Sequence, residues 1–439
     1  MNKTFAIQRH RGEITHRPLK IRIRSSTFVI SVVGISLCLL SVIPLLLHPQ
    51  RTIDPTEETL HESAENSKLS LLPWRNRLKH KKGFQYTLSF RRPNGKWKNP
   101  IKSFQQITAS DLRDLDLPLF PSEPIDVSTK DFVLDLLAAS GVNEIDNQVV
   151  QALPTWQKFS TLYGETNSPI IVGMEKCSEF RNKKTEMFLG VAGLFNTGTT
   201  TLDLYIRENL ILTSFPNQDG FNKGVPWGKH RLWSLREEFM PDEFVNKIDQ
   251  VFPVVIIRDP FTWMQSMCTS PYKAKWPHSE RHCPNLIADE EDATIFPGVN
   301  EGDLIPTVLT SQKQRSFLSL LHLWVEWYAE YLFSDQPRLI VRFEDVLIRP
   351  DAVVDKIQEC LQLERQQEEF VYVVGPIKWD QKYVKKQSSM VSAIIKYGNG
   401  IDRIRNMTQN DLKIAKEVLS EGNGRQLSSL FHYFVDSSD

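Results

Sequence analysis

The sequence predicts an α/β chain: a parallel sheet flanked by helices, preceded by a single transmembrane helix and a stem. Three observations carry that expectation. Ser26 to Leu47, STFVISVVGISLCLLSVIPLLL, contains no charged residue. From about residue 186 onward, short apolar and β-branched runs alternate with helix-period segments, the pattern of strands joined by helical crossovers. Between the first such strand and its helix lies Gly193 to Thr201, GLFNTGTTT, a turn suited to holding a phosphate.

In chain order, residues 1–25 form a basic tail, with Lys3, Arg9, Arg11, Arg17, Lys20, Arg22 and Arg24 opposed only by Glu13. Residues 26–47 follow as a signal anchor. At about 1.5 Å per residue they span about 33 Å, enough for a hydrocarbon core of roughly 30 Å. The positive-inside rule leaves the tail in the cytoplasm and gives a single-pass type II membrane protein with a lumenal body. Residues 48–130 read as a stem and an irregular lumenal segment, with Pro49, Pro55 and Pro73, a basic patch from Arg75 to Lys82 and a strand candidate at Phe84 to Phe90. Residues 131–185 read as a helical lead-in, with helical spacing at Asp131–Ala138 and Asn147–Leu153 and a short strand candidate at Ile170–Val172.

Composition bounds the function. The 439 residues carry 53 basic and 53 acidic side chains, so no global basic excess points to nucleic acid. Cys38 lies in the anchor, which leaves Cys177, Cys268, Cys283 and Cys360, an even number that allows two disulfides or four free thiols. No His/Cys cluster has metal-ligand spacing, and no metal is expected. Asn406-Met-Thr408 is a glycosylation sequon.

Residues 186–439 form the main domain. Met187 to Ala192 is the first strand, and Leu202, Leu204, Tyr205 and Ile206 place a helix after the turn. Glycine lets main-chain N–H groups face a ligand there, and the helix dipole favours an anion. The glycine spacing is that of a Walker A loop, but Thr199 stands where its lysine belongs, which argues against ATP or GTP hydrolysis. Leu210 to Phe215 is the second strand candidate, Leu232 to Ile248 a helix, and Phe252 to Ile257 a strand ending at Arg258-Asp259-Pro260. Ligands of open α/β sheets sit at the carboxyl ends of strands, so Arg258 converges on the same place as Gly193 to Thr201.

With those residues in view, the chain resembles the membrane-anchored, Golgi-type PAPS-dependent sulfotransferases, over some 250 residues after about residue 186. Asn196-Thr197-Gly198-Thr199-Thr200, with Thr201, resembles their 5′-phosphosulfate loop. Arg258 and Ser266, in RDPFTWMQSM, resemble their 3′-phosphate site, followed by Pro271-Tyr272. The aromatic helix Ser316 to Phe333 and the strand Arg338 to Asp345 resemble a late element of the family. The resemblance implies a P-loop-like fold, PAPS as co-substrate with 3′,5′-ADP as product, and transfer of a sulfonate group to a hydroxyl of a glycan or proteoglycan.

The family's loop carries a basic residue where this chain has Asn196. Lys229, in Val225-Pro-Trp-Gly-Lys-His-Arg231, is the candidate substitute cation, with Lys223 the weaker one. His230 is the candidate general base and Asp219 the second. Glu344 and Asp345 read as structural, pairing with Arg342 or capping a turn, and Asp289 to Asp292 as a solvated acidic loop. Trp227, Trp233, Trp263 and Trp276 are candidates for an acceptor cleft or for core. Two other classes compete. A type II glycosyltransferase would use Asp114-Leu-Asp116 as a metal-binding DxD, and an inactive nucleotide-binding protein would keep the fold without the chemistry.

Overall fold

The computed structural model describes residues 106–107, 127–142, 144–183, 186–212, 224–374 and 389–434. The expected anchor, stem, Asp114, Asp116, Asp219 and Lys223 lie outside them.

Among the described residues the main sheet has four strands in the order β3 (Ile171–Val172), β9 (Leu339–Arg342), β5 (Val251–Ile257), β4 (Phe188–Ala192). Its centre is β5 (Val251–Ile257), whose seven residues are all buried, as a β-branched run must be when both faces are covered. On one side β4 (Phe188–Ala192) runs parallel to it, with Phe188 opposite Val251 and Ala192 opposite Val255. On the other, β9 (Leu339–Arg342) is also parallel, with Ile257 opposite Arg342. β3 (Ile171–Val172), from the lead-in, pairs antiparallel with β9. Gly173, at φ 102°, lets the chain turn away at once, since a Cβ there would collide with the Arg338 carbonyl.

The expectation of a parallel sheet flanked by helices is therefore corrected, while residues 26–47, the expected anchor, lie outside the described residues. The sheet is mixed, thirteen α-helices surround it among the described residues, and none of those helices is long and apolar enough to cross a membrane. A separate antiparallel sheet contains β6 (Ala274–Lys275), β7 (Thr307–Leu309) and β8 (Arg315–Phe317), and β1 (Gln106–Ile107) pairs with β2 (Glu144–Ile145).

Two further expectations change. No named strand covers Leu210 to Leu212: Leu210 makes an isolated bridge with Arg365, and Ile211 donates to the Glu364 carbonyl. The segment read as a helix from Leu232 to Ile248 is two 3-10 helices, Trp233–Leu235 and Asp242–Gln250, separated by the extended Pro241. The aromatic helix α8 spans Leu320–Leu332 and starts later than expected, because β8 takes Arg315 to Phe317 and Ser319 caps the helix. After β9 the chain turns directly into α9 (Phe343–Ile348), which puts Glu344 and Asp345 on a helix.

Two disulfides hold the domain. Cys177–Cys360 joins α4 (Cys177–Lys183) to α10 (Pro350–Leu361), and Cys268–Cys283 joins the end of α6 (Pro260–Thr269) to the loop beyond β6.

Candidate functional site

The site is built at the carboxyl ends of β4 and β5. After β4 the chain enters the loop Gly193–Gly198 and then α5 (Thr199–Asn209). Asn196 and Gly198 take left-handed conformations, at φ 62° and 84°. At Gly193 a Cβ would come within 2.8 Å of Ile256, and at Gly198 within 2.8 Å of the Phe343 ring, so glycine is required for packing as well as for the turn. Thr197 is fully buried, and its hydroxyl donates to the Leu194 carbonyl at 2.7 Å. No side chain caps α5, so the N–H groups of its first turn, at Thr199, Thr200 and Thr201, are those a helix leaves for an external acceptor.

Arg258 follows β5 and is 2 % exposed. Its Nη1 donates to the Asn196 carbonyl at 2.7 Å, its Nη2 to the Thr262 carbonyl at 2.8 Å and its Nε to the Thr262 hydroxyl at 3.1 Å. The guanidinium lies 4.1 Å from the Tyr397 ring centroid and 5.1 Å from that of Phe343. Among the described residues no carboxylate forms an ion pair with it. Its neighbour Asp259 instead pairs with Arg403 at 3.0 Å and caps α6 through Thr262 N–H at 2.9 Å. Glu344 receives the Tyr433 hydroxyl at 2.6 Å, and Asp345 pairs with Arg342.

The loop and Arg258, 62 residues apart in sequence, thus touch directly through the Asn196 carbonyl. Ser266 is one helical turn past Thr262 and donates to its carbonyl at 3.0 Å. The Tyr397 hydroxyl completes this corner. Burial pushes its pKa up, but the charges of Arg258 and Lys396, with hydrogen bonds to Ser266 and Arg258, hold it below the ordinary value. The corner is electropositive. On the outer side of α6 lies a cavity of about 260 Å³, lined by Gln265, Glu280, Lys396, Asp402 and Arg405 among others.

Asn196, which stands where the resemblance implies a basic residue, sends its amide away from the loop. Nδ2 donates to the Ser270 carbonyl at 2.9 Å and to that of Ser266 at 3.2 Å, joining the loop to the end of α6. The segment from Gly224 to His230 runs beside β4, with Val225 N–H on the Val191 carbonyl at 3.2 Å and Gly193 N–H on the Lys229 carbonyl at 2.9 Å. This brings Lys229 and His230 against the loop. His230 Nδ1 lies 2.7 Å from the Gly193 carbonyl. A carbonyl only accepts, so Nδ1 carries the proton and Nε2 is the basic atom. The His230 ring leans on Phe195 at 4.6 Å, and Phe195 stacks on the exposed Tyr272 at 5.3 Å.

Of the four tryptophans, Trp227, Trp263 and Trp276 are buried and Trp233 packs on the core, so none is an open acceptor wall. Trp263 nevertheless serves the site by donating to the Phe195 carbonyl at 2.7 Å. Sequence reasoning missed the role of α8. Trp324 donates to the Arg258 carbonyl at 3.0 Å, Trp327 to that of His230 at 3.2 Å, Tyr328 to that of Ile256 at 2.9 Å and Tyr331 to that of Arg231 at 3.0 Å. The signal was their helical spacing combined with a polar tip on every ring. The acidic stretch Asp289 to Asp292 is also not simply a solvated loop: Asp289 caps α7 (Glu290–Ile295), and Asp292 is fully buried.

No protein-family model, no curated protein and no solved structure matches this chain.

Proposed function

We propose that the domain binds PAPS and transfers its sulfonate group to a hydroxyl acceptor, a glycan or proteoglycan of the secretory pathway. The observation that carries this reading is Arg258, a buried guanidinium with no carboxylate partner among the described residues, held beside an uncapped helix N-terminus. A buried cation without a counter-charge is costly, and a phosphate supplies that charge with matching fork geometry. The 5′-phosphosulfate takes the N–H groups of Gly198 to Thr201. The 3′-phosphate takes Arg258 and Ser266, replacing the Asn196 carbonyl on Nη1.

The reaction is an in-line displacement. The acceptor oxygen attacks sulfur, the bond from sulfur to the bridging phosphate oxygen breaks, and 3′,5′-ADP leaves. His230 takes the acceptor proton on Nε2, while Lys229 offsets the charge that grows on the departing oxygen. Two disulfides suit an oxidising compartment and support a Golgi setting. The outward turn of the Asn196 amide favours a second reading, a protein that binds the nucleotide without transferring sulfonate.

A thermal-shift screen of the full chain against 3′,5′-ADP, UDP, GDP and ATP tests binding, and transfer of labelled sulfonate from PAPS to glycan acceptors tests catalysis. The first reading requires stabilisation by 3′,5′-ADP above the others together with transfer. Binding without transfer selects the second, and preference for UDP or GDP removes both.

A further inference from the structure

On another part of the domain, His282, Asp289 and Asp292 converge, and the reason begins at Asp411. Asp411 is fully buried near the start of the Gln409–Ser420 helix. Its Oδ1 accepts the N–H groups of Leu286 at 2.7 Å and Ile287 at 3.2 Å, and its Oδ2 accepts Thr408 N–H at 2.8 Å and the Thr408 hydroxyl at 2.7 Å. The same Oδ2 lies 2.8 Å from His282 Nε2. A carboxylate held by four donors accepts from the imidazole as well, so Nε2 carries the proton and the lone pair is on Nδ1.

His282 is 3 % exposed, and its Nδ1 faces Asp292 Oδ2 at 2.8 Å and Asp289 Oδ2 at 3.1 Å, without hydrogen-bond geometry to either. Asp289 is fixed because its Oδ1 caps α7 through Asp292 N–H at 2.8 Å. Asp292 Oδ1 and Asn285 Oδ1 are buried with no hydrogen-bond partner, and Asn285 donates its amide to Asp292 Oδ2 at 3.0 Å. A bare nitrogen lone pair and two carboxylates this close repel one another unless a proton or a metal ion answers them.

We propose that His282 Nδ1, Asp289 and Asp292 bind a divalent transition-metal ion, zinc or manganese. Two ligand atoms each about 2.1 Å from an ion are about 3.0 Å apart at octahedral angles and about 3.4 Å apart at tetrahedral ones, so the 3.1 and 2.8 Å separations from Nδ1 match octahedral spacing and need only a small outward shift for tetrahedral zinc. One imidazole with two carboxylates suits these ions better than calcium, which takes oxygen alone. The competing occupant is a proton. Burial lowers the His282 pKa, but Asp411, Asp292 and Asp289 raise it to about 9. A proton on Nδ1 answers the imidazole and leaves the Asp292 Oδ1 and Asn285 Oδ1 atoms bare, whereas an ion at the carboxylates gives Asp292 a second ligand contact. The ion ties the loop carrying the Cys268–Cys283 disulfide to the neighbouring α7 and, through Asp411, to the Gln409–Ser420 helix well over 100 residues away. Its role is structural and stands apart from the sulfonate-transfer reading.

The test uses the full chain, stripped with chelator, equilibrated with zinc or manganese chloride, dialysed, and measured by elemental mass spectrometry and thermal denaturation. About one equivalent is retained and the unfolding temperature rises with added metal. Asp289→Asn keeps the helix cap and should weaken binding at least about tenfold with an unchanged circular-dichroism spectrum. Asp411→Asn, acting through His282, should weaken it about 10- to 100-fold. A wild-type chain that retains neither metal and shows no thermal shift overturns the proposal, as does equal retention by folded Asp289→Asn. Should that variant not fold, the stripped wild-type chain alone decides.

Discussion

Arg342 and Arg258 stand at the carboxyl ends of neighbouring parallel strands, and the fold treats their charges differently. Arg342 is fully buried and clasped by Asp345, Nε to Oδ2 at 2.8 Å and Nη2 to Oδ1 at 3.1 Å, with Nη1 reaching the Tyr163 and Phe431 carbonyls. Arg258 is as deeply set, but among the described residues it meets carbonyls, the Thr262 and Tyr397 hydroxyls and ring faces, and no carboxylate. A guanidinium with its own carboxylate is finished as structure. One with no carboxylate partner among the described residues, at the mouth of a glycine loop, still has its charge to be answered.

The largest expected effect lies on the structural side. Arg342→Ala strands Asp345 in the core and should cost about 3–5 kcal/mol in denaturant unfolding; a loss below about 1 kcal/mol would erase the distinction between the two arginines. Next comes pH. Burial, then the charge of Asp259, raises the Glu344 pKa to about 7 against Arg342, the Tyr433 hydroxyl and Asp259 N–H. A carboxyl raised on folding stabilises fully below its ordinary value near 4.5 and loses that contribution as pH rises through about 7, on the order of 3 kcal/mol. Glu344→Gln should flatten unfolding curves across this window, and an unaltered slope would exclude Glu344 as the titrating group.

On the binding side, Arg258→Ala should weaken 3′,5′-ADP about 100-fold or more by calorimetry while moving the unfolding midpoint less than Arg342→Ala does. Identical affinities would make Arg258 a second structural arginine. Lys229→Ala should slow single-turnover transfer about 10²- to 10³-fold at unchanged nucleotide affinity, and a matching rise in Kd would reassign it to binding. Ser266→Ala is the mildest change, a loss of roughly 0.5–1.5 kcal/mol in nucleotide binding; a null result there would leave the hydroxyl to its partners within the chain, the Thr262 carbonyl and Tyr397.

The parts of the fold legible in the sequence were local. The apolar runs of β4, β5 and β9 and the glycine turn before Thr199 announce themselves within a few residues, and the turn also pointed to Arg258 as its neighbour. What escaped was set by distant partners. β3 runs antiparallel because its mate lies some 170 residues ahead, and Leu210 is matched by Arg365 rather than by a strand of its own. Asp292 looked solvated because His282 and Asn285, which enclose it, sit in a stretch with no periodicity. Asn196 looked like a lost cation, and its bonds to the end of α6 exist only once that helix is in place.

The four ring tips of α8 give the domain a further property. Because Trp324, Trp327, Tyr328 and Tyr331 end on main-chain oxygens at Arg258, His230, Ile256 and Arg231, interior and working surface share one set of side chains. Replacing Tyr328 by phenylalanine keeps the ring's packing yet strips the Ile256 oxygen of its donor. A substitution in this helix therefore reaches the backbone around Arg258 and His230, and does not act as ordinary hydrophobic filling alone.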